Sequence, residues 1–428
     1  MGTSSTRSRG DAEGLLDELK WRGLLHDHTP ELPARLAKGP ITAYVGFDPT
    51  APSLQVGNLV PVMLLAHLQR HGGKPIVVLG GGTGMIGDPS GKSNERPLLE
   101  LDQLAANVAT QRAQFERFMS FGRGAGDAAM VNNADWLTKL DLVGFLRDIG
   151  KHFTLSYMLQ KESVKSRIES GISFTEFTYM LLQAYDYIEL FRRHGCELQM
   201  GGSDQWGNIT AGMELIRRVE GGAAHALVAP LVATSSGAKF GKSEGQAIWL
   251  DAARTSPYQF YQFWINQDDQ DIERYLGMFT FLTRDEISAL MAGHAEARGA
   301  RRPHRALARD LTEHVHGRAA AEGAEQAAAI MFGDLDPRKA SAGVWKTLAG
   351  ELPTATIAIT AESLVVDVLV AAEVVKSKSE ARRQIEQGGI AVNDAKVTDA
   401  AAAVGAPLTG GYYLVARGKK TFHLIAPR

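Results

Sequence analysis

The chain has 428 residues, of which 44% are hydrophobic and 22% are charged, and its formal net charge is −2. This length exceeds one ordinary hydrophobic core, so two or three domains are expected. The small net charge argues against a protein that coats nucleic acid, but it leaves room for a basic patch on one domain.

The N-terminal residues predict a leader that is not a secretory signal. Met1 to Arg9 contains Ser, Thr and Arg without an apolar core, so we expect a disordered leader. Leu15 to Gly23 has helical spacing and a glycine stop, which predicts a helix. The single cysteine, Cys196, rules out an intramolecular disulfide and fits a reducing cytoplasm. No stretch is long and apolar enough to predict a membrane span.

Two apolar strands around a helix predict a βαβ unit with a ligand crevice. Ile41 to Val45 and Pro75 to Leu79 are strand-like, and the apolar run from Leu59 to Leu68 has helix length. The stretch from Tyr44 to Asn58 therefore covers a strand, a polar turn and a helix start. Ligands of such sheets bind beyond the carboxyl ends of the strands, where free amide N–H groups attract anionic oxygens.

Polar side chains of two later segments also suit such a crevice. Lys92 and Arg96 lie in a glycine- and serine-rich loop, which is either a mobile cationic loop or a solvated surface loop. Tyr179, Gln183 and Asp186 are three or four residues apart, so they share one helix face. A water-facing stripe is the alternative interpretation of that face.

Two glycine turns follow. Asp204 comes after a predicted strand and turn, where it either holds a ribose hydroxyl or caps a helix. Ala238 to Ser243 has two lysines around a glycine and lacks the spaced glycines of a P-loop, so it is either a phosphate clamp or a solvated turn.

The rest of the chain predicts helices and then a compact basic tail. No strand pattern interrupts the helices between Leu250 and Phe332. Residues 363–428 contain nine basic and six acidic side chains, which gives a net charge of +3. Three of the basic residues lie near one helix start: Lys378, Arg382 and Arg383. They either bind the phosphate backbone of a nucleic acid or form a solvated face. No His/Cys cluster has metal-binding spacing, so no metal site is predicted.

Taken together, these segments resemble the bacterial tyrosyl-tRNA synthetases, which are class I aminoacyl-tRNA synthetases, from about Leu15 to Arg428. Tyr44 to Asn58 stands in place of the HIGH segment of that family, and Lys239 to Ser243 stands in place of KMSKS. The other segments that carry the resemblance are Gly87 to Lys92, Phe145 to Phe153, Gly171 to Phe177 and Gly201 to Asn208.

The resemblance implies an α/β fold class, with a Rossmann-like parallel-sheet catalytic domain, an α-helical domain and a small α+β RNA-binding domain. The implied boundaries are 1–40 for the leader and N-terminal helix, 41–245 for the catalytic domain, 246–340 for a helical anticodon-binding domain, 341–362 for a linker and 363–428 for the C-terminal domain. It also implies a cytoplasmic homodimer.

The activity implied by the resemblance is attachment of L-tyrosine to its tRNA in two steps through tyrosyl-adenylate. ATP is a substrate accompanied by Mg²⁺, and no tightly bound cofactor or protein-held metal is implied. The partners are therefore tRNA, L-tyrosine and ATP.

Matching positions imply a role for each site residue. Tyr44 and Asp186 would bind the phenolic hydroxyl, and Asp88, Tyr179 and Gln183 the ammonium group. Gln205 and Asp204 would lie on the carboxylate and ribose side. The residues implied for ATP are Asp48, Gly57, Asn58, Asp204, Lys242 and Ser243. The residues implied for catalysis are Lys92, Arg96, Lys239, Lys242, Thr50 and Gln55, with the four cations gathering on the pyrophosphate.

The chain departs from the family at two motif positions, since Gln55 and Asn58 stand where histidines are usual. Neither amide can become cationic. A charge-assisted hydrogen bond contributes about 1.5–3 kcal/mol against about 1 for a neutral one, so the change at Gln55 costs on the order of tenfold in activation.

Two alternatives stay open at this point. One is a paralogue that activates tyrosine or an analogue outside translation, and the other is a catalytically weak RNA-binding paralogue. The related tryptophan enzymes are disfavoured because Tyr44 and Asp186 make a polar end that suits a phenol.

Overall fold

The structure is a computed structural model, and its contacts divide the chain into two units. It describes residues 12, 14–88, 100–161, 164–165, 168, 171–235, 237, 240–243, 246–418, 421–426 and 428, with the backbone alone at 101, 242 and 243. Unit 1 comprises Met1–Arg254 and Gln267–Leu307, and unit 2 comprises Thr255–Asn266 and Ala308–Arg428.

Strands and helices alternate through the first half of the chain. The strands are β1 (Asp27–His28), β2 (Thr42–Phe47), β3 (Lys74–Leu79), β4 (Ala129–Asn132), β5 (Cys196–Gly202), β6 (His225–Ala229), β7 (Lys242–Ser243), β8 (Gln246–Ala247), β9 (Thr354–Thr356), β10 (Ile390–Val392), β11 (Ala395–Lys396), β12 (Tyr413–Arg417) and β13 (Thr421–Ala426). The helices are α1 (Gly14–Trp21), α2 (Leu32–Leu36), α3 (Leu59–Arg70), α4 (Leu101–Phe115), α5 (Ala134–Leu137), α6 (Leu142–Asp148), α7 (Leu155–Leu159), α8 (Phe174–His194), α9 (Trp206–Val219), α10 (Pro257–Ile265), α11 (Asp269–Phe279), α12 (Arg284–Glu296), α13 (Arg302–His316), α14 (Arg318–Met331), α15 (Ala342–Ala349), α16 (Val365–Ala371) and α17 (Lys378–Glu386).

The sheet of unit 1 has the strand order β1-β6-β5-β2-β3-β4. β2 to β6 run parallel to their neighbours, and only the edge strand β1 is antiparallel. The chain adds β3 and β4 on one side of β2 and then β5 and β6 on the other, so the topology switches between β2 and β5. Tyr44 of β2 and Gln199 of β5 are partners at this switch, where ligands of open α/β sheets bind. The predicted α/β parallel-sheet fold is confirmed.

One core cluster of unit 1 lies between this sheet and α8 and α9. α8 begins at Ser173, whose hydroxyl accepts from the Glu176 amide, and it ends at Gly195 in the left-handed region. An ideal Cβ on Gly212 of α9 would lie 2.8 Å from Cδ1 of Tyr187, so glycine permits the close crossing of α8 and α9. This packing fixes the helix face that carries Tyr179, Gln183 and Asp186.

A buried arginine joins α1 to the C-terminal end of α11. The Arg22 guanidinium donates to the carbonyls of Gly277, Thr280 and Leu282 at 3.0, 2.8 and 2.9 Å. α11 and α12 therefore belong to unit 1, whereas α10 and α14 belong to unit 2. The structure thus divides the predicted helical segment 246–340 between the two units.

Unit 2 combines helices with a second sheet of order β11-β10-β12-β13-β9. Residues 341–362, expected to be a linker, contain α15 and β9, and β9 pairs in parallel with β13. Val344 and Trp345 of α15 are fully buried with Leu414 and Leu424 of the tail. The linker prediction differs from the structure because apolar side chains from both segments share one core.

No helix in the described part of the chain is long and apolar enough to cross a membrane.

Candidate active site

A cavity of about 690 Å³ opens at the carboxyl ends of β2, β3 and β5. This volume falls within the range of about 300–1,000 Å³ that is usual for small-molecule sites. The structure brings to it the predicted site residues Tyr44, Asp48, Thr50, Gly57, Asn58, Asp88, Tyr179, Gln183, Asp186, Asp204 and Gln205. Segments far apart in sequence therefore meet around one cavity.

One end of the cavity is buried and is lined by a hydroxyl, from Tyr44, and a carboxylate, from Asp186. The Tyr44 hydroxyl is buried, and it has no hydrogen-bond partner among the residues that the structure describes. The Asp186 carboxylate is also buried, and each of its oxygens accepts one hydrogen bond, from Asn133 Nδ2 at 2.8 Å and from Trp136 Nε1 at 2.7 Å. A ligand hydroxyl at this end would give the Tyr44 oxygen the partner it lacks.

Burial determines the ionisation of both groups. Burial raises the pKa of Asp186 to about 7, against the hydrogen bonds from Asn133 and Trp136, which lower it. Burial also raises the pKa of Tyr44 well above its usual range, and the nearby Asp186 carboxylate adds to that shift. Tyr44 therefore stays protonated, and Asp186 changes its charge near neutral pH.

Three residues of this end were not predicted from the sequence. Asn133 and Trp136 hold Asp186, and the Asn133 Oδ1 atom is itself held by the Gly82 amide at 2.7 Å. Gln199 lines the cavity, and its Oε1 is buried without a partner. Asn133 directly follows β4, and Gln199 is a polar residue within a buried strand. Both positions are features of the sequence that could have indicated a place in the ligand site.

A chain of amide hydrogen bonds crosses the middle of the cavity. Gln183 Nε2 donates to Gln205 Oε1 at 3.3 Å, and Gln205 Nε2 donates to Asp88 Oδ2 at 2.7 Å. Asn208 Nδ2 also donates to Gln205 Oε1, at 3.2 Å. The carboxylate at Asp88 and the orientated amides can accept from a cationic amine and donate to a carboxylate.

The two segments that stand in place of HIGH and KMSKS are joined through their backbones. The Val56 amide donates to the Ile248 carbonyl at 3.0 Å, and the Ile248 amide donates to the Gly241 carbonyl at 3.1 Å. Gly241 has φ +83°, and an ideal Cβ there would lie 3.0 Å from Val56 Cγ2 and 3.4 Å from the Gly57 nitrogen. Glycine is therefore required both by the dihedral angle and by the close approach.

Gln55 and Asn58 have different positions relative to the cavity. Asn58 lines it, and its Oδ1 accepts from the Gln55 backbone amide at 2.9 Å. Gln55 pairs through its backbone with Trp249 and is not among the lining residues in the part of the chain that is described. The Gln55 side chain is half-buried.

Some of the predicted cationic residues cannot be placed. Lys92, Arg96 and Lys239 lie outside the described residues. Lys242 and Ser243 are described by their backbones, which form β7 opposite β8 directly after Gly241. The predicted roles of these residues stay predictions.

A parallel sheet of this order, with both signature segments held together at its carboxyl edge, defines the catalytic domain of a class I aminoacyl-tRNA synthetase. The family described as tRNA synthetases class I (W and Y) matches residues 36–333, and a tyrosine–tRNA ligase SYY-like C-terminal domain matches residues 345–425. The chain therefore belongs to the class I tRNA synthetases of the tryptophan and tyrosine group, and within them to the tyrosine–tRNA ligase family.

Similar proteins extend over the whole chain. A tyrosine–tRNA ligase of Anaeromyxobacter dehalogenans is 55% identical over 97% of this chain and 100% of its own length. One of Roseiflexus castenholzii is 48% identical over 96% of this chain and 99% of its own. A crystal structure of a C-terminally truncated mitochondrial tyrosyl-tRNA synthetase of Aspergillus nidulans has a TM-score of 0.68 and 31% identity, covering 75% of this chain and 97% of that one. The resemblance predicted from the sequence is confirmed.

Proposed function

We propose that this chain joins L-tyrosine to its tRNA in two steps. In the first, a tyrosine carboxylate oxygen attacks the α-phosphorus of ATP, the bond from that phosphorus to the bridging oxygen breaks, and pyrophosphate leaves. In the second, a hydroxyl of the terminal ribose of the tRNA attacks the tyrosyl carbonyl and AMP leaves. The substrate supplies each nucleophile, so positioning and charge stabilisation suffice and no covalent enzyme intermediate is needed.

The choice of tyrosine rests on one observation. The Tyr44 hydroxyl is buried near the Asp186 carboxylate, and it has no hydrogen-bond partner among the described residues. A phenol can donate to the carboxylate and accept from the Tyr44 hydroxyl. Phenylalanine would leave the Tyr44 hydroxyl unpaired, which costs about 1–3 kcal/mol, and Asp186 would keep only the hydrogen bonds from Asn133 and Trp136. An indole N–H can donate but cannot accept, so tryptophan would leave the Tyr44 hydroxyl without an acceptor.

The other lining residues suit the rest of the reactants. Asp88, Tyr179 and Gln183 would hold the ammonium group, and Gln205 and Asp204 the carboxylate and ribose. Asp48, directly after β2, and Gly57 and Asn58, directly before α3, would face ATP, and Ser243 would lie on the same side. Support for these roles comes from the shared cavity and from the Gln183–Gln205–Asp88 hydrogen bonds.

Cations would act on the leaving group. Four cationic side chains would gather on the pyrophosphate as charge moves onto it, with the assistance of Thr50 and Gln55. The four are Lys92, Arg96, Lys239 and Lys242. Magnesium would arrive with the ATP, because Mg²⁺ is usually bound largely by substrate phosphates and water. We assign no residue of the chain to that ion.

Tyrosine-dependent exchange of labelled pyrophosphate into ATP tests the first step. Exchange that requires tyrosine supports an activating enzyme, and its absence would leave the RNA-binding paralogue. Transfer of labelled tyrosine to tRNA then separates a translational enzyme from a paralogue that activates tyrosine for another purpose. We place the activity in the cytoplasm because tRNA is the proposed acceptor.

The affinity for tyrosine should fall about tenfold between pH 8 and pH 6. With the pKa of Asp186 at about 7, roughly ten elevenths of the carboxyl is ionised at pH 8 and roughly one eleventh at pH 6, and the ionised form accepts better from a phenol. The measurement is the dissociation constant of tyrosine across this range by fluorescence or calorimetry. Asp186→Asn should flatten the profile. A wild-type profile that is already flat would contradict this role for Asp186.

The C-terminal tail would bind tRNA through its basic residues. Lys378 pairs with Asp367 at 2.6 Å, and Arg417 pairs with Glu380 at 3.0 Å, so these cations are partly neutralised within the tail. Arg382 and Arg383 are exposed on α17. We propose the tail and the helices of unit 2 as the tRNA-binding region, with the anticodon read by helices within 246–340.

Replacing Arg382 and Arg383 together with glutamate should lower kcat/KM for transfer to tRNA by tenfold or more and leave pyrophosphate exchange unchanged. Each lost phosphate contact should also lower the slope of log affinity against log salt by about 1. The matched control is the double lysine variant, which keeps both charges. Equal loss of transfer in the lysine variant would mean that charge is not the reason. Deleting residues from 363 onward is a poorer test, because it would expose Val344 and Trp345.

We also propose that the chain forms a homodimer through an apolar face on α6, α7 and the start of α8. Leu142, Val143 and Phe174 on this face are 70%, 71% and 76% exposed. Large exposed apolar side chains concentrated in one stretch of the chain support an interaction surface there.

Sedimentation should give a mass of about 92 kDa, twice the 46.2 kDa of the chain. Phe174→Asp should shift the mass toward the monomer, because a charge would be buried in the contact. The control is Phe332→Asp, at an exposed phenylalanine of unit 2. A wild-type chain that sediments as a monomer at all concentrations would exclude this dimer.

A further inference from the structure

Three side chains of unit 1, each from a different helix, converge away from the active-site cavity. Asp269 is the first residue of α11, His294 lies in the last turn of α12, and His304 lies in the first turn of α13. Their possible ligand atoms all lie within 4.8 Å of one another. None of the three lines the cavity described above.

The distances within this cluster match those between ligands of one metal ion. His294 Nε2 lies 3.3 Å from Asp269 Oδ2, and His304 Nε2 lies 3.0 Å from Asp269 Oδ1. Two ligand atoms at about 2.0–2.1 Å from a tetrahedral zinc ion stand roughly 3.3 Å apart. The imidazole nitrogens and the carboxylate are therefore already spaced as neighbours in such a coordination shell.

The imidazoles are buried, and their nitrogens lack conventional hydrogen-bond partners. His304 is fully buried and His294 is 6% exposed. Within the described part of the chain, no nitrogen of either ring makes a hydrogen bond of good geometry, although each Nε2 is close to a carboxylate oxygen. Buried polar atoms usually have partners. A metal ion between the rings and the carboxylate would satisfy both Nε2 atoms at once.

The surroundings are mixed in charge. Asp269 is half exposed, so a fourth coordination position would face water. Arg301 lies near His304. Arg301 is a like charge for any cation, but its Nη2 donates to the Gln267 carbonyl at 3.2 Å.

We propose that Asp269, His294 and His304 bind one Zn²⁺ ion that ties together the adjoining ends of α11, α12 and α13. Two imidazoles and one carboxylate are a usual zinc ligand set and a poor one for Mg²⁺, which prefers oxygen ligands. The sequence predicts no metal site, because the three ligands have no short metal-binding spacing and meet only through the fold.

Zinc content and zinc affinity of the full-length protein test this site. Equilibrium dialysis with ZnCl₂, followed by elemental analysis, should give one tightly held zinc per chain. Asp269→Ala should weaken that binding tenfold or more, since loss even of outer partners of zinc ligands costs about 10–100-fold. The matched control is Asp285→Ala, which removes an exposed carboxylate from the first turn of α12 and should leave binding unchanged.

Cobalt and heat supply independent readouts. Co²⁺ should give visible absorption of a tetrahedral His/Asp site in the wild-type protein and lose it in His294→Gln and Asp269→Ala. Zn²⁺ should raise the Tm of the wild type and not of Asp269→Ala. The His304→Ala variant can fail to fold, because the His304 ring is fully buried in the wild type. In that case the zinc binding of Asp269→Ala tests the proposal. Absence of saturable zinc binding, or equal binding by Asp269→Ala, would overturn the proposal and leave two structural His–Asp contacts.

Discussion

Replacing Asp186 with alanine should reduce the preference for tyrosine over phenylalanine by about tenfold to more than a hundredfold. The carboxylate is the proposed acceptor of the phenolic hydroxyl, and a hydrogen bond to a charged group contributes about 1.5–3 kcal/mol. A site built to pair with a substrate hydroxyl rejects the analogue that lacks it, and tyrosyl-tRNA synthetases are themselves the standard example of this behaviour. The measurement is kcat/KM of pyrophosphate exchange with each amino acid.

The Asp186→Ala variant needs two controls. Removal of the carboxylate leaves Trp136 Nε1 buried without its acceptor, at about 1–3 kcal/mol, and leaves Asn133 Nδ2 with Thr83 Oγ1 alone, so the Tm of the variant must be measured. Asp186→Asn keeps the volume and one acceptor oxygen. Glu189→Gln changes another buried acid on α8, which pairs with Arg192 and Arg193, and it should leave the preference intact. A preference that survives in both Asp186 variants would place the phenol elsewhere.

The sequence allowed the fold and much of the cavity to be predicted because both depend on local patterns. Apolar runs bounded by glycines and prolines predicted β2, α3 and β3, and the helical spacing of Tyr179, Gln183 and Asp186 placed them on one face of α8. The rule that ligands bind beyond strand ends then predicted which segments would meet.

Other features depend on contacts between distant segments, which leave little local signal. Neither the partnership of Asn133 and Trp136 with Asp186 nor the Gln205–Asp88 hydrogen bond can be read from spacing. β9 lies in the segment that the sequence predicts to be a linker, because its three small and polar residues have no periodicity of their own. They form a strand through pairing with β13. Likewise, Asp269 reaches His294 and His304 only because α11 to α13 pack together.

Replacing Lys242 with alanine should lower kcat of activation by about 10²–10³-fold for tyrosine and phenylalanine alike. Loss of one preorganised group that stabilises transition-state charge has an effect of about this size. The proposed cation meets the pyrophosphate only as charge develops, so KM for tyrosine should hardly change. Pyrophosphate exchange and single-turnover adenylate formation measure this, with Lys139→Ala, an exposed lysine outside the cavity, as the matched control.

The backbone next to Lys242 is consistent with the proposed role of this residue. Gly241 has φ +83°, and an ideal Cβ there would lie 3.0 Å from Val56 Cγ2, so the chain directly before Lys242 lies against the segment in place of HIGH. Asp186→Ala should therefore change the ratio between the two amino acids, whereas Lys242→Ala should change both rates together. If Lys242→Ala instead raised KM for tyrosine with kcat unchanged, the lysine would bind the amino acid in the ground state, and its assignment to the leaving pyrophosphate would be wrong.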